Sequence, residues 1–240
     1  MNPARRRRIL CALFLIGLPP VVLCGAWRLA GLSALEDDLI YYFPVRAFIG
    51  ETIRDGRWPL WNPYVGLGAS VATDPQAGLW YPPTLLFVAL PAVCAYPITI
   101  CLHFTLAGAG MYRFLRGLRR RWQAAMMGAM AFEFCGFLVG HRPHLTILEA
   151  AAWLPWVLYA WQRLADTARR QYLALAAVCI GMQMLVQHVQ VTIITLTIVT
   201  AYALALLLRQ RRALLWEYPF GVLVGLSIGA VQLLPTLAAF

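Results

Sequence analysis

Apolar and polar positions fall into blocks along this chain that are far longer than a soluble fold needs. Apolar runs predict helical spans at 9–29, 95–115, 122–140, 145–163, 172–188, 190–208 and 216–235. Thr84 to Leu115 is too long for one ordinary helix and contains Pro91 and Pro97. It predicts a short interfacial or re-entrant piece over 84–91 before the second span begins. Between the first two spans lies a polar island of about fifty residues, from Glu36 to Pro83. A chain that only has to turn around does so in a handful of residues. So long an early loop, with acids at its mouth and aromatics throughout, points to binding or chemistry.

The island has internal order. Pro44 suits the first turn of a helix. Val45, Phe48, Ile49, Thr52 and Ile53 fall on one face of that helix, with Arg46, Gly50, Glu51, Arg54 and Asp55 on the other, and Gly56 is placed to end it. This pattern predicts an amphipathic helix of about three turns, lying on the membrane surface or packed on the protein itself. PLWNPY (59–64) sets Trp61 and Asn62 in an Asn-Pro turn, with Trp58 and Tyr64 nearby. Interfacial Trp and Tyr are common in any membrane protein, so the aromatics alone do not define a site. Asp74-Pro75-Gln76 adds an acid and an amide before Trp80-Tyr81-Pro82-Pro83 returns the chain to the bilayer.

Composition fixes the class. The 240 residues are 61% hydrophobic and 12% charged, with mean hydropathy +0.68. A soluble domain carries roughly twice that charged fraction. The net charge of +10 comes from twenty Arg and no Lys. Most sit in clusters at Arg5–Arg8, Arg113–Arg121, Arg163–Arg170 and Arg209–Arg212, the distribution of the positive-inside rule and not that of a nucleic-acid binder. It puts the N-terminus in the cytoplasm, and the first loop and the turns at His141–His144 and Gln187–Gln190 on the outer side. Eight of the ten acids (36, 37, 38, 51, 55, 74, 133 and 149) fall on or near that side. A signal peptide is the rival reading of the first run, but Pro19-Pro20 breaks it and no clean cleavage site follows. The six Cys lie in apolar runs without CxxC spacing and read as small buried hydrophobes. Residues 1–240 read as one membrane domain. The end at QLLPTLAAF (232–240), without polar tail or cap, suggests the N-terminal part of a longer polytopic protein.

The candidate chemistry sits at the mouth of the loop. A helix leaving the membrane holds its first exposed residues firmly, so Asp37 and Asp38 can face a lipid-borne substrate at headgroup depth. A carboxylate beside low-dielectric surroundings is a competent general base for an acceptor hydroxyl. Isolated acids at a span's end are otherwise simply solvated. His141, Arg142 or His144 could contact a donor phosphate, and the run His141-Arg142-Pro143-His144 with Glu149 is a candidate metal site. As a metal site it lacks a fixed third ligand, and Pro143 interrupts the helical spacing, so no metal ligands are assigned. His188, between Gln187 and Gln190, could line the same cavity or cap a helix end. Glu133 is the most unexpected charge and should face the bundle interior or the outer interface. His103 reads as a satisfied intramembrane residue.

Taken in order, an acid pair after the first span, YYFPVRAF, Gly-Arg-x-Pro-Leu-Trp-Asn-Pro-Tyr, Gly-Leu-Gly and DPQAGLWYPP resemble the YfhO-type bacterial membrane proteins. LHFTLAGAGMYRFLR (102–116), FEFCGF (132–137) and HLTILEAAAWLPWVLYAW (144–161) extend the resemblance over nearly the whole chain. It implies an all-α, polytopic, GT-C-like helical bundle in the bacterial cytoplasmic membrane. It also implies a glycosyltransferase that moves a sugar from a polyprenyl-phosphate donor to a cell-envelope glycopolymer or lipid acceptor, with no nucleic acid involved. Asp37 or Asp38 would be the catalytic carboxylate, and Asp74 and Gln76 supporting residues of the same loop. Arg46, Arg142 and the histidines His141, His144 and His188 would neutralise the leaving phosphate, and Trp61 and Asn62 would join the binding surface. A divalent cation is allowed but not required by these residues. Family members are several times longer than this chain. The alternatives are a transporter or flippase without chemistry, which calls for mid-membrane charges and inverted repeats, and a non-catalytic scaffold.

Overall fold

A computed structural model describes residues 16–22, 25, 37–209 and 214–239, and most of them are helical. The reading of a first span at 9–29 lies largely outside the described residues; within it, 16–22 are helical. Among the described residues three helices are long and apolar enough to cross a membrane: Ala92–Gly117, Trp122–Gly140 and Val189–Leu208. Leu215–Ile228 and Ala230–Ala238, bent by 63° at Gly229, supply a fourth crossing if taken together. The remaining expected spans are shorter or broken. The 145–163 run divides into Leu145–Ala151 and Leu154–Thr167, with Pro155 in the first turn of the second piece. The 172–188 run becomes Arg170–Val186, an apolar helix of 17 residues. Pro97 sits inside the Ala92–Gly117 helix, which continues through it.

Tight helix contacts are made at small residues, which let backbones approach closely without water to drive association. Gly221, Gly225 and Gly229 recur every four residues. A side chain there would collide with Trp161, Ile180 and Met184, while Gly181 on the partner helix faces Ile228. Gly110 similarly receives the Trp156 ring, whose Nε1 donates to the carbonyl of Leu106 at 2.8 Å. Trp161, Leu164 and Ile180 are completely buried in this half of the core. Gly117 lies against Tyr159 and Arg163, so the Arg-rich turns that follow these two helices lie at the same end of the bundle.

The loop forms a small structure of its own at the other end. Asp38–Tyr42 is a single wide turn leading into the helix Phe43–Arg54, with Pro44 in its first turn and Gly56 at φ +76° beyond its end. Val45 and Ile49 pack against Val71, Ala77 and Leu79 from the returning chain. Trp61–Asn62 pairs antiparallel with Ala69–Ser70, and the Asn62 side chain accepts from the Tyr64 backbone N–H at 3.0 Å. Arg54 donates to the carbonyls of Phe87, Val88 and Leu90, tying the loop helix to the end of the short helix Leu86–Ala89.

The expected amphipathic face requires correction. Arg46 and Gly50, assigned to the polar side, are buried, and a side chain at Gly50 would strike the Phe87 backbone. The helix is packed on the protein, and both of its flanks are occupied. The reason is a partner distant in sequence: Arg46 Nη2 lies 2.7 Å from Glu149 Oε2, with both side chains excluded from solvent. Its Nη1 donates to the Gly78 carbonyl at 3.2 Å and to Thr84. Gly78 has φ +61°, and a Cβ there would overlap the guanidinium. Gly78→Ala is therefore expected to destabilise the protein by about 1–3 kcal/mol, read as a lower Tm in detergent.

Candidate functional site: a divided carboxylate pair at the mouth of the first loop

The two adjacent acids at the start of the loop have different surroundings. Asp38 is buried. Its Oδ2 lies 3.1 Å from Arg142 Nη1, and Tyr96 of the long helix donates to its Oδ1. Asp37 keeps 53% of its side-chain surface exposed, and its Oδ2 lies 3.1 Å from His144 Nε2. One carboxylate is anchored to the bundle and its neighbour faces outward. The alternation follows from local backbone: Asp37 and Asp38 are consecutive in a helical turn, so their side chains diverge by about 100°.

His144 sits at the start of the Leu145–Ala151 helix, and its Nδ1 lies 3.4 Å from His141 Nδ1. In the tautomer that gives Nε2–H to Asp37, Nδ1 is the acceptor toward His141. The arrangement is a short path from carboxylate to imidazole to imidazole. His188 caps the Val189–Leu208 helix by accepting from the Val191 N–H at 3.4 Å. Burial lowers its pKa, and the neighbouring His141 and His144 lower it further. All three imidazoles thus meet at this end of the bundle. Among the described residues no group of three or more His, Cys, Asp and Glu side chains is arranged to hold a metal ion.

A second layer fixes the loop beneath this cluster. Tyr41 donates to Asp74 Oδ2 at 2.5 Å, and Tyr42 donates to Gln76 Oε1 at 3.3 Å while contacting Thr146 Oγ1 at 3.2 Å. Burial and the Asp74 carboxylate push the Tyr41 phenol up, so it remains a donor throughout the neutral range. Asp74 Oδ1 also accepts from the Gln76 N–H at 3.0 Å. From the far end of the chain, Gln232 donates to the carbonyls of Ala72 and Asp74, and Thr236 to that of Thr73. Deeper in, Trp153 Nε1 donates to the Tyr81 hydroxyl at 2.9 Å. That hydroxyl donates to His103 Nε2 at 2.7 Å, while His103 Nδ1 is held by the Thr99 carbonyl. His103 is accordingly a satisfied interior residue.

The candidate residues thus separate into groups. Asp37, His141, His144 and His188 form the accessible cluster, with Asp38 and Arg142 behind it. Asp74 and Gln76 clamp Tyr41 and Tyr42. Arg46 lies with Glu149 in the interior, its Nη groups engaged, and it does not reach the cluster. The expected Arg46 contact to a leaving phosphate is replaced by this buried pair. Asn62 holds its own turn, and Trp61 is exposed over Gly68, well apart in role from the acids. Tyr96, Thr146, Gln232, Thr236 and Gln187, whose Oε1 accepts from Thr236 at 3.0 Å, are supporting residues that the sequence did not single out as such. Only Gln187, beside His188, carried a local signal.

Residues 37–240 match the family described as "Bacterial membrane protein YfhO". No curated protein and no solved structure matches the chain.

Proposed function

We propose that this chain, which belongs to the YfhO family of bacterial membrane proteins, acts as a GT-C-type glycosyltransferase of the cytoplasmic membrane, its N-terminus on the cytoplasmic side. It moves a sugar from a polyprenyl-phosphate donor to an extracytoplasmic glycopolymer or lipid. The observation carrying this reading is the divided carboxylate pair: Asp38 secured by Arg142 and Tyr96, Asp37 outward beside His144. A base for sugar transfer must be held in place and also be reachable by the acceptor, and the pair meets both needs.

In the proposed step the acceptor hydroxyl meets Asp37. Its proton passes to the carboxylate as the new bond to the sugar's anomeric carbon forms and the bond from that carbon to the phosphate oxygen breaks. His144 keeps the carboxylate oriented and can share the proton along the His141 path. The departing polyprenyl phosphate takes the electron pair of the broken bond, and ring N–H groups of His141 and His188 are available to donate to it. Arg142 acts through Asp38 as a positioning residue.

Transfer and transport make different predictions. With the full-length protein reconstituted in vesicles and a polyprenyl-phosphate donor labelled in its sugar, covalent label on the added envelope acceptor is the expected result. Label that crosses the vesicle membrane while remaining on the lipid would overturn the reading in favour of a flippase.

A further inference from the structure

Glu133 plays no part in the cluster just described. It closes the helix Trp122–Glu133, inside the apolar stretch Trp122–Gly140, and is completely buried. Neither carboxylate oxygen has a hydrogen-bond partner among the described residues. Oε2 fits against Gly108 of the Ala92–Gly117 helix, where a side chain would overlap it, and Ile16 lines the same spot. Ala129, one turn back, is buried with Ile16 and Met126. Phe104 and Phe134 stack at 6.0 Å beside it.

Among the described residues no counter-charge comes from these surroundings. Residues 16–22 carry no titratable side chain. On the facing helix, His103 is engaged by Tyr81 and Thr99, Tyr96 donates to Asp38, and Tyr112 belongs to the apolar packing around Met126. Arg113 and Arg116 lie toward that helix's far end, and Arg121 stands at the opposite end of Glu133's own helix, about 18 Å away at 1.5 Å per residue. The last turn of a helix is also the negative end of its dipole, which disfavours an anion. An ionised carboxylate in such a place is costly, and the inexpensive state is the acid.

We propose that Glu133 is a proton-binding site within the membrane bundle, separate from the sugar-transfer cluster. It occupies the interior as the carboxylic acid, and its proton exchanges when the Ala92–Gly117 and Trp122–Gly140 helices part. Dicyclohexylcarbodiimide tests this directly, because the acid O–H adds across its C=N bond and the adduct rearranges to an N-acylurea without a leaving group. In proteoliposomes of the full-length protein, peptide mass spectrometry is expected to find the adduct on Glu133. Labelling should decline with rising pH, by about tenfold per unit above the group's own midpoint. A water-soluble, membrane-impermeant carbodiimide should instead modify exposed Asp37, Glu51 and Asp55 and spare Glu133. Absence of the adduct at acidic pH, equal modification by the soluble reagent, or protection by sodium would each overturn the proposal. Glu133→Gln should lose the adduct and retain sugar transfer. Loss of transfer in that variant at normal protein level would overturn the separation of the two sites, while the wild-type labelling stands as its own test.

Discussion

Replacing Asp37 by asparagine is expected to reduce sugar transfer about 10²–10⁴-fold, the usual range for removing a positioned general base, while leaving protein level and Tm unchanged. The structural reason for the second half is its environment. Asp37 is half exposed and its neighbour is His144 Nε2 at 3.1 Å. An asparagine oxygen can accept the same N–H. Asp38→Asn should behave differently. It removes the carboxylate opposite the Arg142 guanidinium, 4% exposed, and breaking a buried ion pair typically costs about 3–5 kcal/mol. The expected signature is lower Tm and lower yield, with transfer per folded molecule less affected than in Asp37→Asn. Activity measured at matched protein levels separates the two. Full transfer by Asp37→Asn, with loss in Asp38→Asn, would move the base to Asp38, and full transfer by both would remove the base from this pair.

The second large effect belongs to the Arg46–Glu149 pair. Either Arg46→Met or Glu149→Leu alone strands a charge where both partners are fully enclosed, with an expected loss of about 3–5 kcal/mol. The double variant removes both charges and puts apolar volume in their place, so it should recover much of that loss, since a buried pair is often close to neutral against a hydrophobic replacement. Thermal unfolding in detergent gives the coupling energy from the four proteins. Protease cleavage between 57 and 83 reports whether the loop has come loose. Simple additivity of the two single losses would show that the pair does not act as a unit.

Local signals carried a good part of this structure. Pro44 and Gly56 bound the loop helix where expected, Pro91 separates the short helix from the long one, and the family resemblance agrees with the match over 37–240. The failures have one physical source. Arg46 looks solvent-facing by polarity, because its counter-charge lies 103 positions away. Periodicity reads local sequence and cannot see Glu149. The 145–163 run looks like one span, because hydropathy does not register the break at Ala152–Trp153 ahead of Pro155. Asp37 and Asp38 look interchangeable in sequence, and only their partners Tyr96, Arg142 and His144 distinguish them. Gly221, Gly225 and Gly229 drew no reading from the sequence, because their meaning depends on Gly181 and the side chains of a different helix.

The bonds from Gln232 and Thr236 to the backbone at 72–74 join positions 158–163 residues apart. A ribosome adding about 5–20 residues per second needs on the order of ten to thirty seconds to cover that interval. Throughout it the loop lacks the helix that braces it. The cluster around Asp37 is therefore finished late, by the last described helix to emerge. Quality control that samples the nascent chain would meet an open loop long before it could meet a competent one.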